Sequence, residues 1–156
     1  MIRPARPDDV PAVLGLIRAL ARYEKLEHEV VGTDADLREG LFGARPRVEA
    51  LVVDDAGSLV GFALYLHNYS TFLCRPGLYL EDLFVVPEHR GKGYGVALLK
   101  ELARIAKGRG CGRLEWAVLE RNEPAKGFYR SLGAIEKSDW RIMRVTGEAL
   151  ERLANG

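Results

Sequence analysis

Residues 78–96 read LYLEDLFVVPEHRGKGYGV, and this stretch decides how the chain folds. Residues 78–86 are rich in aliphatic and aromatic side chains and predict a strand, which Pro87 ends. Three glycines at alternate positions follow, and a helix with leucines at helical spacing begins after them. Glycines let a backbone approach an anion closely, and the free amides and dipole of a helix start attract negative charge. The stretch therefore predicts a phosphate-binding turn or, alternatively, a plain glycine-rich helix start.

Three familiar phosphate-binding loops do not fit this stretch. A P-loop requires Gly-Lys-Ser/Thr, but Lys92 is followed by Gly93. The dinucleotide-binding fingerprint and the kinase loop require a third glycine at the position of Val96. What remains is the pattern Arg90-x-x-Gly93-x-Gly95.

Periodicity and turn residues place the other elements around this stretch. The predicted helices are residues 10–24, a short helix that starts at Thr33 with Asp36 in a capping box, a helix after Gly95, residues 122–132, and a short C-terminal helix. The other predicted strands are residues 2–5, 48–54, 59–67, 113–119 and 139–145, with a loop at 69–77. This order predicts one α/β (α+β) domain over residues 1–156, with a mixed central sheet and helices on both faces.

Composition excludes several classes of protein. The 156 residues include 23 Lys and Arg against 22 Asp and Glu, a balance that argues against a nucleic-acid binder. The longest apolar run falls far short of the ~20 residues that span a bilayer, and the N-terminus shows no apolar secretory segment. The two cysteines and three histidines are scattered, so neither a disulfide framework nor a metal site is expected. We expect a cytoplasmic protein without a nucleic-acid or membrane partner.

Charge is unevenly distributed along the chain. Residues 24–39 carry six acids against Lys25 and Arg38, and residues 89–113 carry seven bases against Glu101. Such zones could serve a cationic and an anionic ligand. The alternative is two solvated helix faces.

The glycine pattern and several other motifs resemble the GCN5-related N-acetyltransferase (GNAT) superfamily. Arg90-x-x-Gly93-x-Gly95 resembles its acetyl-CoA motif, and residues 122–134, NEPAKGFYRSLGA, resemble its second motif. The segments LARYEKL at 20–26, LYLED at 78–82 and PEHRG at 87–91, together with Trp140, narrow the resemblance to the diamine acetyltransferases. That branch includes the spermidine/spermine acetyltransferases and the thialysine N-epsilon-acetyltransferases.

The resemblance implies an acetyl-CoA-dependent N-acetyltransferase that transfers directly to the primary amine of a small molecule in a ternary complex, without a metal. The backbone of residues 83–85 would pair with the pantetheine arm like an added strand, and residues 91–96 would hold the pyrophosphate with Arg90 beside it. The implied acetyl-CoA contacts are Leu83, Phe84, Val85, Arg90, Gly91, Lys92, Gly93, Tyr94, Gly95, Val96, Asn122, Ala125, Lys126 and Tyr129.

Acetyl transfer to an amine requires two proton transfers. An ammonium with a pKa of about 10 must lose a proton before it attacks, and a departing thiolate, whose thiol has a pKa of about 8.5, gains from a proton donor. Tyr129 matches the family's proton donor, although a tyrosine on a helix is more often a packed aromatic. Glu81 is the predicted amine binder and water-mediated base; alternatively it only neutralises the substrate cation. Strand alternation predicts that Glu81 and Asp82 point to opposite faces, and a backbone N–H near Val85 would polarise the thioester carbonyl.

The class of amine is predicted from the residues that would contact it. The implied amine contacts are Tyr23, Glu24, Glu81, Asp82 and Trp140. Polyamine enzymes carry an acid in the loop before the catalytic strand, whereas residues 69–77 contain none, and Tyr69-Ser70-Thr71 resembles the thialysine branch. A thialysine-like or lysine-like amino acid therefore fits better than a diamine or polyamine. The alternatives are a protein or peptide acetyltransferase and a non-catalytic acyl-CoA-binding sensor. The resemblance also implies a homodimer.

Overall fold

A computed structural model describes residues 1–156 and contains one five-stranded sheet. The strands are β1 (Ile2–Pro4), β2 (Glu49–Asp55), β3 (Ser58–Ser70), β4 (Arg75–Val85) and β5 (Leu114–Trp116). They lie in the order β1-β2-β3-β4-β5, and the first four are antiparallel neighbours while β5 runs parallel to β4. The α-helices are α1 (Val10–Tyr23), α2 (Asp34–Phe42), α3 (Tyr94–Gly108), α4 (Glu123–Ser131) and α5 (Gly147–Asn155).

The chain divides into two compact units. Residues 1–117 contain the whole sheet with α1, α2 and α3, and residues 118–156 contain α4 and α5. The assignment of both units to one domain stays a prediction. No helix combines the length and apolar character needed to cross a membrane.

One face of the sheet packs against α1. The helix buries Val13, Leu16 and Leu20 against Val52, Phe62, Leu64 and Phe84 of the central strands. A smaller cluster of Val10, Leu41 and Ala50 brings α2 onto the same face. The start of α2 is fixed by the predicted capping box, in which the Thr33 Oγ1 accepts from the Asp36 N–H at 3.2 Å and Asp36 accepts from the Thr33 N–H at 2.9 Å.

The opposite face of the sheet packs against α3. Ala50 of β2 points to the face that α1 and α2 cover. Because neighbouring residues of a strand point to opposite faces, the side chain of Glu49 points to the face that α3 covers. Arg109, which ends α3, donates to both carboxylate oxygens of Glu49 at 2.6 and 2.9 Å. The helix buries Leu98, Leu99, Leu102 and Ala106. This arrangement confirms the predicted α/β class with helices on both faces of a mixed sheet.

The structure corrects three of the predicted elements. The predicted loop at 69–77 is only residues 71–74, because β3 and β4 continue until Ser70 pairs with Arg75. Proline and glycine at 76–77 suggested a turn, yet a proline is tolerated near the start of a strand. The predicted strand at 113–119 is reduced to Leu114–Trp116. Residues 139–145 form no strand, and their apolar side chains Trp140, Ile142 and Met143 are exposed. Alternating apolar residues form a strand only where a neighbour completes the hydrogen bonds.

Phe62→Ala is expected to lower the free energy of unfolding by about 3–5 kcal/mol, because the ring is fully buried between the sheet and α1. The matched control is Phe72→Ala. Phe72 lies in the turn between β3 and β4 and is 92% exposed, so its removal should change stability by no more than about 0.5 kcal/mol. Urea unfolding followed by circular dichroism measures both variants, and equal losses would contradict this placement of the core.

Candidate active site

The strand β4 contains one extra residue at Glu81. Leu64 of β3 pairs with Asp82, whereas the next residue, Tyr65, pairs with Leu80. Two residues of β4 therefore oppose one step of β3, which is a β-bulge, and a bulge bends its strand and re-aims side chains. The bulge interrupts the regular alternation from which opposite faces were predicted for Glu81 and Asp82, so that placement stays a prediction.

Beyond the bulge, β4 exposes a backbone edge. On that side β5 accompanies β4 only as far as Leu80. The Val86 N–H donates to the Val60 carbonyl at 2.9 Å, which makes Leu83 and Val85 non-hydrogen-bonded positions of the β3–β4 ladder. Residues at such positions direct their N–H and C=O groups away from the partner strand. An extended ligand could add to this edge as a further strand.

The turn after β4 is shaped by two glycines in the left-handed region. Gly91 has φ +80° and Gly93 has φ +82°, and a Cβ atom on either would meet no heavy atom within 4 Å. Gly93 is the N-cap of α3, and no side chain caps this helix start. The first-turn amides of α3 therefore lack a side-chain acceptor, and the helix dipole favours an anion there. These features are the ones that an anion site at a helix start requires, and the binding of a pyrophosphate at this turn stays a prediction.

Arg90 connects this turn with the end of α1. Its guanidinium carbon lies 4.7 Å from the ring centroid of Tyr23 and 5.5 Å from that of Phe84. Its Nε donates to the Val85 carbonyl at 2.9 Å. The rings of Tyr23 and Phe84 are themselves 6.5 Å apart. The guanidinium thus belongs to an aromatic cluster, and its predicted contact with the pyrophosphate stays a prediction.

Three carboxylates lie close together beside this cluster. Burial, with smaller contributions from the charges of Glu81 and Glu24, raises the pKa of Asp82 to about 6. Glu24 caps the C-terminal end of α1 directly after Tyr23, and Glu81 is exposed on the bulge. The predicted amine contacts of residues 1–117 are therefore brought together, and their joint negative charge favours an ammonium ligand.

Residues 118–156 contain the other predicted site residues. Asn122 caps α4, because its Oδ1 accepts from the Ala125 N–H at 3.3 Å. Tyr129 lies in the last turn of α4, and its ring centroid is 5.4 Å from that of Phe128. Trp140 lies beyond α4 and is 75% exposed.

Lys126 is the buried charge of α4. Its Nζ lies 3.2, 3.3 and 3.4 Å from carboxylate oxygens of Glu120, Glu123 and Glu136, and only 5% of its side chain is exposed. Burial works against the charge, but the hydrogen bonds to the three carboxylates outweigh it and raise the pKa of Lys126. The ammonium therefore ties the segment before α4 to the segment after it. Sequence reasoning placed this residue at the coenzyme and missed the network.

Sequence reasoning also missed Asp55, at the end of β2. Its Oδ2 lies 3.5 Å from the His89 Nε2 and 3.9 Å from the Lys92 Nζ, both in the turn before α3. The sequence carried no signal because more than thirty residues separate Asp55 from the turn, and the pairing of β2 with β3 and of β3 with β4 brings them together.

Comparison with known proteins identifies one family. Residues 17–134 match the family described as "Acetyltransferase (GNAT) family". The chain is 39% identical to a thialysine N-epsilon-acetyltransferase of Bos taurus, over 99% of this chain and 96% of that protein. It is 32% identical to an L-ornithine N5-acetyltransferase of Arabidopsis thaliana, over 97% of this chain and 86% of that protein. Among solved structures, an integron cassette protein of V. cholerae superposes with a TM-score of 0.84 at 29% identity, covering 100% of this chain and 98% of that one.

Asp82→Asn is expected to stabilise the protein at pH 8. The pKa of Asp82 rises from 3.8 to about 6 on folding, and at about 1.36 kcal/mol per unit this costs the ionised form up to about 3 kcal/mol. The free energy of unfolding of the wild type therefore falls as the pH rises from about 4 through 6, because Asp82 loses its proton. The difference in stability between the variant and the wild type should vanish near pH 4 and be complete above about pH 7.

Urea unfolding at a series of pH values measures this difference. The control is Asp9→Asn, since the hydrogen bond from Arg3 lowers the pKa of Asp9 and ionised Asp9 therefore stabilises the fold. This control should lose stability at pH 8. A loss of stability at pH 8 in Asp82→Asn as well would contradict the burial of an unpaired carboxylate at this position.

Proposed function

Since the chain belongs to the acetyltransferase (GNAT) family and is an N-acetyltransferase, we propose that it acetylates the primary amine of a small molecule with acetyl-CoA. The acceptor is a thialysine-like or lysine-like amino acid, and the transfer is direct, within a ternary complex. The observation that carries the proposal is the geometry of β4, which joins an open backbone edge to a cluster of carboxylates. The names of the relatives, which include a thialysine and an ornithine acetyltransferase, support an amine of this size.

The turn before α3 and the edge of β4 hold the coenzyme in this proposal. Acetyl-CoA supplies an acetyl group activated as a thioester. The backbone of Leu83, Phe84 and Val85 holds the pantetheine arm, and residues 91–96 hold the pyrophosphate with Arg90 beside them. Asn122, Ala125, Lys126 and Tyr129 contact the coenzyme further along. Because three glutamates already hold the Lys126 ammonium, this residue contributes through its backbone.

The Val85 N–H polarises the thioester carbonyl. It lies at a position of β4 whose backbone groups point away from β3. The Val85 carbonyl already accepts from Arg90, so the N–H is the group of this residue that is left for a ligand. A fixed donor aimed at an oxygen that gains charge during the reaction lowers the barrier.

Carboxylates on β4 and at the end of α1 bind the amine and take its proton. Glu24 and Asp82 attract the ammonium beside Tyr23, and Trp140 adds an aromatic contact. Glu81, which is exposed on the bulge, accepts the proton through a water molecule. Asp82 assists it, because a carboxylate with a pKa of about 6 is a better proton acceptor near neutral pH than an ordinary one. Tyr129 donates the proton that the departing sulfur needs.

The turn between β3 and β4 limits the length of the amine. Residues 71–74 contain no acid that could bind a second, distant ammonium. The carboxylates of the site instead lie within the two residues of the bulge and at the end of α1. A short amine with one reacting ammonium suits this distribution of charge. The proposal also includes a cytoplasmic location and a homodimer. The homodimer is supported by large apolar side chains that are exposed after α4, namely Ile135, Ile142 and Met143.

A panel of acceptors tests the proposed function. Thiol release from acetyl-CoA is measured with thialysine, lysine, ornithine, putrescine, spermidine and spermine, and with an amine-free control. We expect turnover of the amino acids and little turnover of spermidine. A preference for spermidine would contradict the proposed acceptor. If no amine of the panel causes thiol release while acetyl-CoA still binds, the small-molecule function is overturned, and a protein acceptor or a non-catalytic sensor is favoured.

Tyr129→Phe is expected to lower kcat at least about tenfold, because the departing thiolate loses its proton donor. The dissociation constant of acetyl-CoA should be unchanged, since only one oxygen is removed. A thioester of a more acidic thiol serves as the matched control. Its thiolate leaves without needing a proton, so the deficit of the variant should shrink with it. Near-normal turnover of acetyl-CoA would remove Tyr129 from the mechanism.

A further inference from the structure

Asp55, the last residue of β2, is the acidic neighbour of the turn that precedes α3. We propose that Asp55 is a positioning residue of the pyrophosphate site and fixes that turn through the side chains of His89, Lys92 and Tyr94. The inference rests on the proposed function, because it presumes that this turn binds the pyrophosphate of acetyl-CoA.

One carboxylate contacts the turn at three points. The Asp55 Oδ2 lies 3.5 Å from the His89 Nε2 and 3.9 Å from the Lys92 Nζ. Tyr94 faces the same carboxylate, and burial together with the charge of Asp55 raises the pKa of Tyr94. His89 precedes the glycines, Lys92 lies between the first two, and Tyr94 opens α3. Asp55 therefore holds the turn at its beginning, its middle and its end.

The turn needs such an anchor because its backbone is built from glycine. Gly91 and Gly93 both occupy the left-handed region, and the space where their side chains would lie is empty. Glycine loses more conformational freedom on folding than any other residue. Neither glycine has a side chain that could hold the turn. The neighbouring residues His89, Lys92 and Tyr94 do have side chains, and all three lie close to the Asp55 carboxylate.

Asp55 is itself held in place by the hairpin between β2 and β3. It pairs with Ser58 across the hairpin. Its neighbour Asp54 fixes the turn of the hairpin, because it accepts from the Gly57 N–H at 2.9 Å and from Arg3 at 3.1 Å. The two adjacent acids thus divide the work: Asp54 holds the hairpin, and Asp55 reaches the turn before α3.

His89 adds a second, independent observation. Its Nδ1 is buried and has no hydrogen-bond partner, although buried polar atoms are almost always paired. The other ring nitrogen faces Asp55. The His89 N–H donates to the Val86 carbonyl at 2.9 Å, so the backbone is held locally, whereas the ring has Asp55 as its polar neighbour.

A purely electrostatic role for Asp55 predicts the opposite effect. An acid beside a phosphate site repels the phosphates and cancels part of the charge of Lys92, so its removal would tighten the binding of coenzyme A. A positioning role predicts weaker binding, because the turn loses its anchor. The sign of the change therefore separates the two roles.

The experiment measures dissociation constants for coenzyme A by titration calorimetry in the full-length protein, together with steady-state kinetics. Asp55→Ala is expected to weaken the binding of coenzyme A about fivefold to tenfold and to raise the KM for acetyl-CoA equally. The kcat at saturation and the KM for the amine should not change. Asp55→Asn, which keeps an acceptor for Tyr94, should lie between the alanine variant and the wild type.

Two controls separate positioning from a general loss of structure. S-acetylpantetheine lacks the pyrophosphate, so its KM should be the same in Asp55→Ala and the wild type. Glu88→Gln removes a negative charge from the same turn without touching the Asp55 contacts, so it should not weaken the binding of coenzyme A. An unchanged or tighter affinity in Asp55→Ala would overturn the proposal, as would an equal defect with S-acetylpantetheine.

These outcomes are distinguishable from failure of the proposed function. If the wild type binds no coenzyme A, the pyrophosphate site itself is wrong and both proposals fall. If the wild type binds it and neither Asp55 variant differs, only the positioning role falls. Should Asp55→Ala fail to fold, Asp55→Asn decides by the same measurements.

Discussion

The two edges of the strand β4 have different neighbours, and the rest of the site depends on this constraint. Along one side it is hydrogen-bonded to β3 from Arg75 to Val85, so it is a central element of the core. Along the other side it pairs with β5 for only three residues, and beyond Leu80 no strand of the sheet lies against that edge. The bulge at Glu81 lies directly after Leu80, the last residue of β4 that pairs with β5. A bulge bends its strand, so β4 changes direction close to where its pairing with β5 ends.

The same strand places a half-buried carboxylate beside the bulge, and the charges that act on it are not those of a cation of the protein. Asp82 lies next to the bulge, and the charges nearest to it are those of Glu81 and Glu24, which are also negative. A fold selected for stability alone would place an apolar residue or a lysine at this position. The arrangement is reasonable if the ammonium of a substrate completes it, since the ligand then supplies the missing positive charge.

Local patterns predicted the five α-helices and the five strands, together with a strand at 139–145 that does not form, and the other errors occurred mainly where distant parts of the chain meet. The glycine turn, the capping box at Thr33 and the two helix faces follow from short-range rules and are confirmed. The bulge was not predicted, because residues 78–86 contain neither glycine nor proline and read as a continuous strand. The Lys126 network and the contacts of Asp55 were missed because their partners are set by folding and not by spacing. The roles of Tyr129 and Glu81 stay predictions.

The two charged zones of the sequence show why a run of like charges says little about a site. In the acidic zone, Glu27 pairs with Arg22 at 3.0 Å and Asp36 caps α2. In the basic zone, Arg109 pairs with Glu49 at 2.6 Å, and the guanidinium of Arg90 stacks on aromatic rings. Pairing of this kind weakens the field of a charged run, since opposite charges a few ångströms apart cancel at longer range. The polarity of the site is therefore set locally, by carboxylates on β4 and at the end of α1 and by the amides that open α3.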